Sequence, residues 1–121
     1  VQGLDRTLAD KVFAICDYYM QGRVKKHSRH IYDIYKLLQI VPQTDEFKAL
    51  IKEVRGVRAM TNICPSAQPD VNVPEMLNFL IENEIYKEDY ETITARILEE
   101  DVNYDVAIEA VKKIAASGMF E

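Results

Sequence analysis

The stretch "GRVKKHSRHIYDIYKLL", Gly22 to Leu38, decides how the rest of the chain is read. In its second half, Ile31, Ile34, Tyr35 and Leu38 recur at i, i+3, i+4 and i+7, the spacing of one buried face of an amphipathic helix. Its first half gathers Arg23, Lys25, Lys26 and Arg29 with both histidines of the protein, His27 and His30. That concentration of cations needs a reason, because the chain carries a net charge of −5. A surface that seeks phosphate must therefore be local.

Working outward, the same period of about 3.6 residues appears in every other segment, and none alternates with period 2. A first helix aligns Leu8, Val12, Ile15, Cys16 and Tyr19, with Thr7 expected as its cap, Asp10 three residues on, and Gly22 at its end. Ser28 is expected to cap the second helix and Pro42 to stop it. Thr44 opens a third helix built on Phe47, Leu50, Ile51 and Val54 and running toward Met60. The stretch "TNICPSAQPDVN" is irregular, since Pro65 and Pro69 break any helix. A fourth helix comes next, capped by Asn72 or Val73 with Pro74 in its first turn, burying Leu77, Leu80 and Ile81. The fifth runs from about Glu88 to Glu99 around Tyr90, Ile93 and Ile97. The sixth starts near Asn103, buries Tyr104, Ala107, Ile108, Val111 and Ile114, and stops at Gly118.

Six amphipathic helices with short connections predict an all-α class, a compact bundle forming a single domain over residues 1–121. Its core should include Ile31, Ile34, Leu38, Leu50, Ile51, Leu80, Ile93 and Ile108. No apolar run approaches the roughly 20 residues that span a bilayer, and no signal-peptide pattern opens the chain. A cytoplasmic protein of bacterial style, without a membrane partner, is the expectation. Cys16 lies on an apolar stripe and reads as a buried thiol rather than half of a disulfide.

Two readings of the basic run stand side by side. On a helical wheel centred on Ile31, Arg29, Asp33 and Lys36 point the opposite way, and an Arg29–Asp33 pair four residues apart would only stabilise a solvated face. Alternatively, Asp33 orients a cation or takes a proton, while Lys26 and Arg29 meet phosphate oxygens. Lys11, at the edge of the first helix's apolar stripe, either snorkels or serves as a point charge for a polyphosphate. His27 and His30 form no recognised metal motif, so no metal ligands are assigned. Tyr18, Tyr19, Tyr32 and Tyr35 read as core and rim. The sequence holds no Gly-rich phosphate loop and no complete catalytic constellation.

The run "TLADKVFAICDYYMQGRVKKHSRHIYDIYKLL", residues 7–38, resembles the AbiEii/AbiGii-type nucleotidyltransferase toxins of type IV toxin–antitoxin and abortive-infection systems. Lys11 matches the lysine of that family's threonine-led helix, and Arg29, His30, Tyr32 and Asp33 match its R-[HD]-x-Y-D-[LI] element. "CPSA", residues 64–67, is similar to its Pro-Ser-Ala turn, and "EDYETITARILEEDVNYDVAIEAVKKI", residues 88–114, to its closing helices. The resemblance implies nucleotidyl transfer from a nucleoside triphosphate with magnesium, onto RNA or protein, on a polymerase-β-like core. It implies catalytic roles for Lys11 and Asp33, and phosphate contacts from Lys25, Lys26, Arg29 and His30. His30 stands where many relatives carry an aspartate.

One departure matters. The family's Gly-Ser strand and D-x-D metal carboxylates precede the lysine helix, and this chain has neither. The chain, which opens on Val1, thus resembles the C-terminal helical half of a longer toxin. It is expected to bind no cofactor alone and to complete the cleft of an N-terminal catalytic domain that supplies magnesium and the triphosphate. RNA as acceptor and an antitoxin protein are the further partners implied. The alternative is a stand-alone helical module that binds an antitoxin or RNA.

Overall fold

The computed structural model describes residues 3–61 and 64–121, and among these every regular element is helical. We number the helices α1 (Leu4–Met20), α2 (Arg29–Leu38), α3 (Asp45–Ala59), α4 (Val73–Glu82), α5 (residues 87–97) and α6 (Tyr104–Ala116), with a short 3₁₀ turn at Pro65–Ala67. The helix α1 lies at the centre, packing on α2, α3, α4 and the 3₁₀ turn, while α6 closes the bundle against α2 and α4. Leu8, Val12, Phe13, Ile15 and Cys16 of α1 are all buried. Each large apolar side chain so enclosed contributes about 1.5–3 kcal/mol.

Cap chemistry fixes most of the boundaries. Thr44, Asn72 and Asn103 accept from the backbone N–H groups of Phe47, Glu75 and Val106, satisfying donors that the first turn leaves free. At the end of α1, Gly22 takes φ +68°, the Gly22 N–H donates to Tyr19 O and the Arg23 N–H donates to Tyr18 O. This is the Schellman closure, which needs a left-handed residue where glycine costs least. It turns the chain straight into the basic loop.

Several expectations are corrected. Thr7 does not cap α1, which begins a turn earlier with Gly3 at its cap; the Thr7 hydroxyl instead donates back to Gly3 O at 3.2 Å. Ser28 precedes α2, yet its hydroxyl meets Thr94 Oγ1 at 2.7 Å and makes no cap. The expected stop of α2 does hold: the helix ends at Leu38, ahead of Pro42, since a continuing helix would drive the proline ring into the Leu38 carbonyl. Of the predicted core, Leu38, Leu50 and Ile93 are only partly buried, as is Ile81.

The largest difference lies in α5. Its middle, Tyr90–Thr94, is a π-helical turn between the short α-helical pieces Lys87–Asp89 and Ala95–Ile97. One extra residue in a turn rotates everything after it, so Tyr90 is followed inward by Thr94 and Leu98. Ile97, expected inside, is 59% exposed. The inward turn brings Thr94 to Ser28 and the start of α5 to the basic loop.

Candidate functional site

The basic loop doubles the chain back, so α1 and α2 pack with their directions opposed: Lys11 meets Asp33, and Tyr18 meets His30. Lys11 Nζ lies 3.2 Å from Asp33 Oδ2, with the two side chains about a quarter exposed (29% and 25%). Asp33 is therefore not on the face opposite the core but on the flank of α2 that looks at α1. Arg29 Nε is farther, 4.0 Å from Asp33 Oδ1, and its side chain is mostly in solvent. The expected i, i+4 pair is thus the weaker arm of a three-residue cluster in which Lys11 holds the carboxylate.

His30 completes the cluster, with Nδ1 3.9 Å from Asp33 Oδ2. That nitrogen is buried and has no hydrogen-bond partner. Burial and the Lys11 ammonium push the His30 imidazole down to about 4, against a smaller opposing pull from Asp33. At neutral pH it is uncharged, so whatever it contributes to phosphate is a hydrogen bond rather than a charge. Between about pH 6.5 and 4 the unfolded chain takes up a proton on this residue and the folded chain does not, so folding stability falls as pH drops through that window. We expect a urea midpoint that declines from pH 7 to 4.5, and a shallower decline in His30→Gln. Equal slopes in the two proteins would contradict this.

The rings beside the cluster form a stack. Tyr18 and His27 lie parallel with centroids 3.7 Å apart, His30 sits parallel to Tyr18 at 5.6 Å, and the Arg23 guanidinium is 5.7 Å from the Tyr18 ring. The two histidine centroids are 6.2 Å apart in near-parallel planes. Among the described residues, no three His, Cys, Asp or Glu side chains converge as a metal ion would require.

The basic loop is pinned from α5. Asp89, nearly buried, accepts from the Lys26 N–H at 2.7 Å and the Ser28 N–H at 3.2 Å. The side chains of Lys25, Lys26 and Arg29 remain exposed; Arg29 reaches toward Asp33, while Lys25 lines an open cavity with Glu88 and Asp89 of α5. An open cavity of about 880 Å³ lies on other residues, among them Arg55, Asp70, Glu75, Phe79 and Glu82. Its carboxylates make it a poor seat for phosphate.

A second polar cluster is not legible in the sequence. Asp17, 4% exposed on α1, accepts from the Ser66 N–H at 2.8 Å, from the Ser66 hydroxyl, and from Arg58 Nη2 at 2.9 Å. Arg58 Nη1 also reaches Asp10 Oδ1 at 3.2 Å. The Pro-Ser-Ala turn is thereby fastened to the centre of the bundle, and Arg55 secures the chain on its C-terminal side through the carbonyls of Ala67, Gln68 and Val71. The only local signal is a carboxylate beside an apolar stripe, which a single helix cannot distinguish from a solvated one.

These features define a class: an all-α bundle with a paired lysine and aspartate on neighbouring helices and an exposed basic loop between those helices. The particular family is settled by its sequence profile. The profile described as nucleotidyl transferase AbiEii toxin, type IV toxin–antitoxin system, matches residues 1–115, and the chain belongs to that family. No curated protein and no solved structure matches it. No helix among the described residues is long and apolar enough to cross a membrane.

Proposed function

We propose that this chain is the C-terminal helical wall of a nucleotidyltransferase toxin, facing a polymerase-β-like core that lies upstream in a longer parent protein. The observation that carries the reading is the Lys11–Asp33 pair at 3.2 Å, on two helices joined by the basic loop; with the exposed Lys25, Lys26 and Arg29 it is read as the edge that meets phosphate. Family membership supports the chemistry, transfer of a nucleotidyl group from a nucleoside triphosphate. In this reading Lys11 is a compact charge for the triphosphate, already aimed by Asp33 and half-desolvated, so that little reorganisation precedes reaction. The loop cations meet phosphate oxygens of the triphosphate or of an RNA acceptor, and His30 adds a neutral hydrogen bond. Magnesium, when bound, would neutralise the transferring group, and its ligands belong to the D-x-D segment of the core. Such a reaction on nucleotides and RNA belongs in the cytoplasm, and the toxin–antitoxin family supports an antitoxin as counterpart of the parent.

The test compares the parent with the 121-residue chain. Each is incubated with labelled nucleoside triphosphates, magnesium and a pool of RNA. The parent is expected to transfer label and the chain alone to transfer none. Magnesium-dependent transfer that copurifies with the isolated chain would overturn the division of labour.

A further inference from the structure

We propose that Asp89 is a positioning residue, whose carboxylate sets the basic loop so that Lys25, Lys26 and Arg29 grip phosphate. The inference rests on the proposed role of that edge in meeting phosphate. Three observations carry it. First, the backbone N–H groups of Lys26 and Ser28 converge on the two oxygens of one carboxylate, at 2.7 and 3.2 Å, from a residue more than 60 positions away (separations 63 and 61). Second, Lys26 stands at φ +72°, a left-handed conformation that a residue with a side chain keeps only where its surroundings hold it. Third, the π turn begins immediately after Asp89 and delivers Thr94 to the Ser28 hydroxyl, giving the loop a second attachment at 2.7 Å.

A left-handed residue with N–H groups pointing to one side forms a concavity that suits an anion. Asp89 fills it from within the fold. The backbone donors are thus spent on the protein's own carboxylate, and an incoming phosphate is left to the side chains. Those side chains are long and would lose much rotamer freedom on binding, so a fixed backbone beneath them reduces what must be ordered.

The sign of the test is diagnostic. Removing a negative charge beneath the basic loop should, by Coulomb attraction alone, tighten the binding of any anion. If position matters more, Asp89→Asn weakens it, because an amide can accept only one of the two N–H groups and sets its own donors against the other. The 121-residue chain is titrated with a metal-free nucleoside triphosphate and, separately, with a fluorescent single-stranded RNA, at several salt concentrations. The wild type is expected to bind at least one of the two, and which one identifies the source of the phosphate. Asp89→Asn should lose about tenfold in affinity, the size of one charge-assisted contact, with a shallower salt slope. Asp89→Glu, which keeps the charge and both acceptors, should recover part of it.

Unchanged or tighter binding by a folded Asp89→Asn protein overturns the inference alone. Should that variant fail to fold, Thr94→Val removes only the second attachment and must still weaken binding; no loss there also overturns it. A wild-type chain that binds neither ligand overturns the proposed role of the edge, and this inference with it.

Discussion

Alanine at Asp17 is expected to cost about 3–5 kcal/mol of folding stability, the range for stripping one partner from a buried charge pair. The carboxylate is 4% exposed and receives three donors, from Ser66 N–H, Ser66 Oγ and Arg58. Without it the Ser66 N–H has no acceptor in a buried place, and Arg58 keeps only Asp10, at 3.2 Å near the surface. Domains of this size are stable by about 5–15 kcal/mol, so the variant should unfold at markedly lower urea and lose much of its folded population on warming. Asp17→Asn, which can still accept at one oxygen, should lose less. Denaturation in urea followed by circular dichroism is the check, and a cost below about 1 kcal/mol would mean that the cluster is not what fastens the Pro-Ser-Ala turn.

Lys11→Ala is the counterpart, a change expected to spare the fold and, on the proposed function, to remove the chemistry. The lysine is partly exposed and its ion pair is with a partly exposed carboxylate, so the stability effect should stay within about 0.5–1 kcal/mol. In the parent protein, by contrast, deleting a preorganised charge at a reacting phosphate typically lowers the rate by about 10²–10³. Lys11→Arg should restore only part of the activity, because the planar guanidinium does not reproduce a compact ammonium seated against Asp33. Arg29→Ala, whose side chain is 57% exposed and reaches Asp33 only at 4.0 Å, should cost far less than Lys11→Ala. Steady-state transfer rates of the three variants decide this. A Lys11→Ala protein of full activity would make the residue a snorkelling side chain and nothing more.

The contrast between these two residues also shows what can be read along the chain. Helix identity comes from local periodicity: the face formed by Ile31 and Ile34 is buried, and Thr44, Asn72 and Asn103 cap where short polar side chains can. The π turn is not legible, because nothing local to residues 90–94 marks an added residue; the contact it serves, Thr94 with Ser28, spans 66 positions. That turn alone puts Ile97 outside rather than inside. The residues of the candidate edge can be named in sequence, but their mutual geometry cannot. A wheel drawn for α2 by itself turns Asp33 to solvent, and only the reversal at Gly22 shows that the flank facing α1 carries it. Asp17 and Asp89 stay hidden for a related reason. Their partners lie 41–49 and 61–63 positions away, beyond any spacing rule for a single helix.

The central claim is that Lys11 and Asp33 act as one unit toward a nucleotide, and a double-mutant cycle on transfer by the parent protein tests it most directly. Lys11→Ala, Asp33→Ala and the double variant are compared for magnesium-dependent label transfer, with thermal midpoints measured on the same samples. If the aspartate works by holding the lysine, each single change lowers transfer by at least about 100-fold, and the double variant is no worse than the poorer single, as expected of groups that act together. The midpoints should stay close to that of the wild type. Full transfer by both single variants, or a collapse of the midpoint in either, would show instead that the pair is a clasp between α1 and α2.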